Sequence, residues 1–232
     1  MTREQYAQME DYLAQTLTDS AHDREHVYRV LHVALDIATT EPDVDRDVLI
    51  AACLLHDIGR PAQTADPTLC HALVGGERAE RFLLSAGWPA AFAAGVRACV
   101  ETHRYRADRP PQTLEAKLLF DADKIDATGT LGIARTLVYK GQHDQPLYWV
   151  RPDGSVSNGD GDDAPSFFHE YRFKLERLYD RFHTARGRQI AQARRASAAA
   201  FYQAMLHEVA DCREAGKALL AGWLHDEGGT SV

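Results

Sequence analysis

Apolar residues recur at helical spacing along nearly the whole chain, and the two-residue alternation of a half-buried strand is scarce. The clearest stripe is Val27, Val30, Leu31, Ala34, Ile37 and Ala38, with Asp19 and Ser20 ahead of it as candidate N-caps. The pattern predicts helices at about 3–17, 21–40, 45–58, 69–86, 89–104, 112–127, 129–140, 166–183 and 185–212. The expectation is an all-α bundle of eight to nine helices.

One large interruption, 141–166, is rich in Gly, Asp, Asn and Pro and reads as a long loop. Such a loop in a compact domain is usually functional or disordered. Its apolar cluster Leu147, Tyr148, Trp149 and Val150 suggests a mobile lid anchored at one end near a site. A calcium loop counted from Asp153 fails, because Asn158 and Ala164 stand where the sixth-position Gly and twelfth-position Glu are needed. With no internal repeat and no domain-sized shift in composition, the chain reads as one domain over 1–232. Its motif-bearing part spans about 19–140, and a helical hairpin at 166–212 completes it.

Composition narrows the function. A chain of 232 residues, 45% hydrophobic and 26% charged, can bury a core and is neither disordered nor collagen-like. The longest apolar run, Val48–Leu55, falls far short of the ~20 residues of a membrane span. The first residues lack the apolar region of a signal peptide, so a cytoplasmic protein is expected. Four cysteines without a CxxC pair suggest neither a zinc ribbon nor a disulfide framework. A net charge of -8 argues against a stable nucleic-acid complex, whose affinity comes from basic residues on phosphates. A small anionic ligand held by a local cluster remains compatible with it.

The chain has no P-loop, no GxSxG elbow and no GxGxxG. The dipeptide His-Asp, however, occurs four times, at 22–23, 56–57, 143–144 and 225–226. His56-Asp57 ends VLIAACLLHDIG, the most apolar helix, with Gly59 as its stop. A carboxylate buried there needs a hydrogen-bonded partner or a metal. Asp121 shares a stripe with Leu114, Leu118 and Ile125, and its counter-ion is either a metal or Lys124. His26 opens the helix whose apolar face starts at Val27. His103 continues the inward stripe Phe92, Val96, Cys99, Val100, and His71 opens a helix where Gly75 and Gly76 permit close approach. His26, His56, Asp57 and Asp121 together would form an N2O2 set suited to a divalent transition metal. Without thiolates it does not look like a structural zinc site.

This order of H, HD and D resembles the HD superfamily of metal-dependent phosphohydrolases. HDREHVYRV, LLHDIG, ETHRYR, TLEAKLLFDADKIDATGTLGIAR and FKLERLYDRFHTARGRQIA are similar to the small bacterial hydrolases of the YedJ/YpgQ type, over about residues 19 to 212. The resemblance implies that His26, His56, Asp57 and Asp121 bind the metal. It also implies a manganese-dependent pyrophosphohydrolase acting on nucleoside triphosphates. Ile58-Gly59-Arg60 lacks the glutamate that HD nucleotidases place after the HD.

The expected reaction is attack by a metal-activated water on a phosphoester or phosphoanhydride of a small nucleotide. One divalent ion is expected, Mn2+ first, with Fe2+, Zn2+, Co2+ and Ni2+ compatible with the same donors. Asp57, His71 and His103 take catalytic roles, one of the last two histidines donating a proton to the leaving oxygen. Lys124, Arg135 and Arg104 are candidate phosphate contacts, and Asp123 and Asp126 are expected to hydrogen-bond a histidine ligand or Lys124. The alternatives are an HD phosphomonoesterase or phosphodiesterase, a di-iron oxygenase using His71 and His103, and a non-catalytic helical binding module stapled by metal.

Overall fold

The structure, a computed structural model, describes residues 1–17, 24–161 and 165–224. Among the described residues the elements are α1 (Arg3–Thr16), α2 (Arg24–Ala38), α3 (Arg46–Leu55), α4 (Arg60–Ala65), α5 (His71–Ser85), α6 (Ala90–Thr102), α7 (Leu114–Ile125), α8 (Gly129–Gln142), α9 (Phe167–Phe173), a 3-10 turn (Leu175–Asp180) and α10 (Ala185–Trp223). The only extended pairing among them is an isolated bridge between Val150 and Val156. The fold is all-α, as the periodicity implies. Asp19 and Ser20 lie outside the described residues.

Local chemistry sets the helix starts. Thr2 and Gln5 form a capping box on α1, Asp45 accepts from the amides of Asp47 and Val48, and Thr113 and Thr184 cap α7 and α10. The expected 166–183 helix is instead split into α9 and the 3-10 turn, and α10 runs on past 212. That extension, REAGKALLAGW, is rich in good helix formers, so it continues while burying little. Among the described residues no helix is long and apolar enough to cross a membrane.

Two apolar clusters hold the chain. In the larger, α3 lies at the centre with Leu49 and Ala51 to Leu55 fully buried, packed by faces of α1, α2, α5, α6 and α7. The smaller joins Ile133 of α8, Phe167, Phe168 and Tyr171 of α9, Leu175, and Ala198 and Tyr202 of α10. Each fully buried side chain of this size contributes about 1.5–3 kcal/mol.

The described part of the 141–166 segment does not form the expected lid. The Lys140 ammonium donates to Gln145 Oε1 and Pro165 O, Tyr202 donates its hydroxyl to Asn158 O at 2.6 Å, and Arg213 Nε donates to Gly154 O at 2.8 Å. These bonds fasten it to α8 and α10. Leu147, Tyr148 and Trp149, expected as anchors, are exposed.

Gly59 follows His56-Asp57, but it is not needed for a left-handed turn, since its φ is -85°. A Cβ there would lie 2.1 Å from His71 O and 2.7 Å from Gly75 N, so the backbone of α5 rests directly on the turn after α3. This contact sets the distance between Asp57 and His71. Gly59→Ala is expected to cost about 1–3 kcal/mol, because backbone must move to admit the methyl. A thermal melt should show the loss as a lowered Tm, and an unchanged Tm would refute the contact.

Candidate metal centre

Four histidines and three carboxylates from five segments meet at the end of α3. His26 comes from the first turn of α2, and His56 and Asp57 from the C-terminus of α3. His71 starts α5, His103 ends α6, and Asp123 and Asp126 belong to the last turn of α7. All four imidazoles and Asp57 are buried.

Every ring is held by its Nδ1. His56 donates to Cys53 O at 2.8 Å, His103 to Val100 O at 2.6 Å, His26 to Asp126 Oδ2 at 2.7 Å and His71 to Gln63 Oε1 at 2.6 Å. A carbonyl or an ionised carboxylate only accepts, so Nδ1 carries the proton and the neutral ring presents a bare lone pair at Nε2. These Nε2 atoms face one another, at 3.3 Å between His26 and His56 and at 3.3 Å between His71 and His103. Two lone pairs at that distance call for a cation or proton between them.

Asp57 lies between the pairs. Its Oδ2 is 3.6 Å from His26 Nε2 and 3.7 Å from His56 Nε2, and its Oδ1 is 3.6 Å from both His71 Nε2 and His103 Nε2. Arg60 Nε donates to Oδ1 at 2.9 Å, whereas Oδ2 is buried with no hydrogen-bond partner among the described residues. An orphaned carboxylate oxygen among bare imidazole nitrogens is costly unless a metal completes the set. Among the described residues two groups have ligand atoms close enough for an ion, namely His26, His56 and Asp123, and Asp57, His71 and His103. The donors are nitrogen and carboxylate oxygen only, which suits a borderline or hard divalent ion.

The electrostatics follow from burial against neighbouring charge. Burial pushes the Asp57 carboxyl up, but Arg60 and His56 outweigh it and hold the group well below the usual range. Asp123 behaves likewise through Lys124 and His26, and Asp126 is brought to about 2 by His26, Arg29 and Arg135 against its burial. His56 is pushed down to about 4 chiefly by burial, and His71 to about 2 by burial and then by Arg60. His26 moves the other way, because hydrogen bonds to Asp123 and Asp126 overcome its burial.

The structure brings His26, His56 and Asp57 together, as the sequence suggests, but Asp121 is elsewhere. Both Asp121 oxygens are used at the start of α10, accepting from His183 N at 2.8 Å, Thr184 N at 2.8 Å and Thr184 Oγ1 at 2.7 Å. Burial pushes its carboxyl up, and these donors oppose the shift. The carboxylate beside the histidines is Asp123, whose Oδ1 is 3.4 Å from His26 Nε2. Asp126 does hold a histidine, as expected.

The expected phosphate contacts are largely engaged. Lys124 Nζ donates to Asp123 Oδ2 at 2.6 Å and to His103 O at 3.2 Å, and Arg135 pairs with Asp126. Among the described residues Arg104 has only the Cys70 sulfur, at 3.7 Å. The sequence reading missed Arg60 and Gln63. Arg60 stood in Ile58-Gly59-Arg60, which was read only for the glutamate it lacks, whereas Gln63 belongs to a short helix with no stripe to orient it.

Residues 24–128 match the family model for the HD domain. The chain is 27% identical over 201 residues to the Bacillus subtilis protein YpgQ, covering 82% of this chain and 86% of that one. The crystal structure of a predicted HD superfamily hydrolase from an uncultured Thermotogales bacterium is 28% identical, with a TM-score of 0.58 over 89% of this chain and 92% of its own. The crystal structure of YpgQ in complex with ADP superposes with a TM-score of 0.68 at 24% identity, over 88% of this chain and 97% of its own. The match to the HD domain thus lies across residues 24–128, which hold every residue of the centre described above, and the chain is similar to HD superfamily hydrolases.

Proposed function

We propose that this hydrolase acts on a small nucleotide and releases pyrophosphate from a nucleoside triphosphate, with His26, His56, Asp57 and Asp123 holding one divalent ion, Mn2+ first. The observation that carries the reading is the unpartnered Asp57 Oδ2 among imidazoles whose Nδ1 protons are all committed elsewhere. When bound, such an ion polarises a phosphoryl oxygen and lowers the pKa of a water. The likeness to YpgQ, crystallised with ADP, supports a nucleotide as ligand.

The chain's own groups divide the remaining work. Asp126 fixes the ring of His26, and Arg29 and Arg135 hold Asp126 in turn. Arg60 keeps Asp57 ionised. His71, pushed down to about 2, is neutral near pH 7 and has no second proton to give. His71 Nε2 therefore serves as an acceptor, and His103 Nε2 faces it at 3.3 Å. A second reading, two metals sharing Asp57, is favoured by the Asp57, His71 and His103 group. It is opposed by the Arg60 guanidinium on the same oxygen.

Metal analysis of purified variants tests the ligand set. Asp123→Asn is expected to lose metal and turnover together, while Asp121→Asn retains metal and melts lower, having weakened bonds worth about 1–3 kcal/mol. Retained metal in Asp123→Asn with loss in Asp121→Asn would reverse the assignment. His71→Ala should leave the metal count at one, and a fall from two to one would establish the dinuclear site.

Metal affinity should depend on pH through His26. The pKa of His26 is raised above its ordinary 6.5, so a proton occupies Nε2 below that raised value and must be displaced by the metal. Calorimetric titration with Mn2+ should give an affinity that is level at higher pH and falls as pH drops through the raised value. Asp126→Asn should move that fall to lower pH and weaken binding roughly 10–100-fold. An unshifted profile would remove Asp126 from this role.

The products decide the reaction. With Mn2+ and nucleoside triphosphates, pyrophosphate is expected in excess of orthophosphate. Orthophosphate alone, with monophosphates turned over faster than triphosphates, would make the enzyme a phosphomonoesterase.

A further inference from the structure

A cleft of about 350 Å3 opens between the turn that follows His103 and the segment 180–183. Arg104, Tyr105 and Arg106 line one wall, Asp180 and Arg181 the other, and Phe120 also lines it. Among the described residues none of the three arginines forms an ion pair, and Asp180 is the one acidic side chain in the lining. On a chain of net charge -8, this is a local excess of cation where the overall balance is acidic.

The guanidinium groups are arranged for use. The Arg181 Cζ lies 4.6 Å from the centroid of the Tyr105 ring, so the cation reaches across from one wall to the other. Stacking occupies the face of a guanidinium and leaves its N–H edge free to donate. The second wall is fixed from behind, because Asp121 on α7 binds the amides of His183 and Thr184. Asp121 thereby acts as a positioning residue for Arg181, without touching a ligand itself.

Lys124 connects the cleft to the metal centre. Its ammonium lies 5.0 Å from the centroid of the Phe120 ring in the cleft lining, while donating to Asp123 and to His103 O. The cleft and the metal centre thus share Lys124 and the turn at His103.

We propose that this cleft holds the phosphates beyond the one under attack, an oligophosphate tail gripped by Arg104, Arg106 and Arg181. Its link to catalysis rests on the phosphohydrolase reading above, whereas the anion site itself rests on the cleft. Planar guanidinium forks match phosphate oxygens, and each charge-assisted pair adds affinity that salt screens only partly at a half-enclosed site.

The test uses the full chain without metal, titrated calorimetrically with inorganic tripolyphosphate in the presence of a chelator. Wild type should bind, and the double variant Arg106→Ala, Arg181→Ala should bind at least about tenfold more weakly. Both side chains are exposed, so the fold should survive their removal. Arg181→Lys should recover part of the affinity, and Asp180→Asn should tighten binding, a sign that a purely structural role does not predict. In steady-state assays with Mn2+ and a nucleoside triphosphate, the double variant should raise KM far more than it lowers kcat. Absence of tripolyphosphate binding to wild type, or binding indifferent to the two arginines, overturns the proposal. Arginine-dependent binding in a protein that hydrolyses no nucleotide would leave the anion site standing and refute the phosphohydrolase reading.

Discussion

A carboxylate buried at the end of the most apolar helix is the constraint from which the rest follows. Asp57 sits where water does not reach, and an ionised group there costs several kcal/mol unless opposite charge and donors surround it. The surroundings are supplied from both sides, Arg60 on one oxygen and imidazoles about both. Five separate segments must therefore converge on one point. The helix packing of the larger core serves that convergence, with α2, α5, α6 and α7 each delivering a side chain to the end of α3.

The imidazoles are oriented before any ligand arrives. Fixing Nδ1 by a carbonyl, a carboxylate or an amide removes the choice of tautomer and aims Nε2 inward. Two of the four acceptors are backbone carbonyls three residues earlier in the same helix end, Cys53 O and Val100 O. Those contacts come from local geometry alone. Of the other two, Gln63 lies eight residues from His71 on the preceding short helix, and only Asp126 reaches across the fold, 100 residues from the ring it holds.

Much of this was legible in the sequence. The stripe from Val27 to Ala38 located α2, and the apolar run ending in His56-Asp57 located the buried carboxylate, because both rest on periodicity and on the cost of burying charge. The choice between Asp121 and Asp123 was not legible. Both lie on apolar stripes of α7, the first with Leu114 and Leu118, the second with Ala116 and Phe120, so α7 is buried nearly all round and its period cannot tell the two faces apart. What separates them is the start of α10, some sixty residues away, which satisfies one carboxylate and not the other. The 141–166 segment misled in the opposite sense. Its turn-forming composition was read correctly, but its bonds to α8 and α10 are long-range and leave no local trace.

The two aspartates of α7 stand two positions apart, about 200° around the helix. One faces the histidines and the other clasps α10, so a single helix keeps two unrelated appointments with its opposite sides. Inserting or deleting one residue between Thr113 and Asp121 would turn both carboxylates by about 100° and miss both partners at once. The register of this helix is therefore fixed from two sides, and length variation among proteins built this way belongs in the connections before and after α7, not within it.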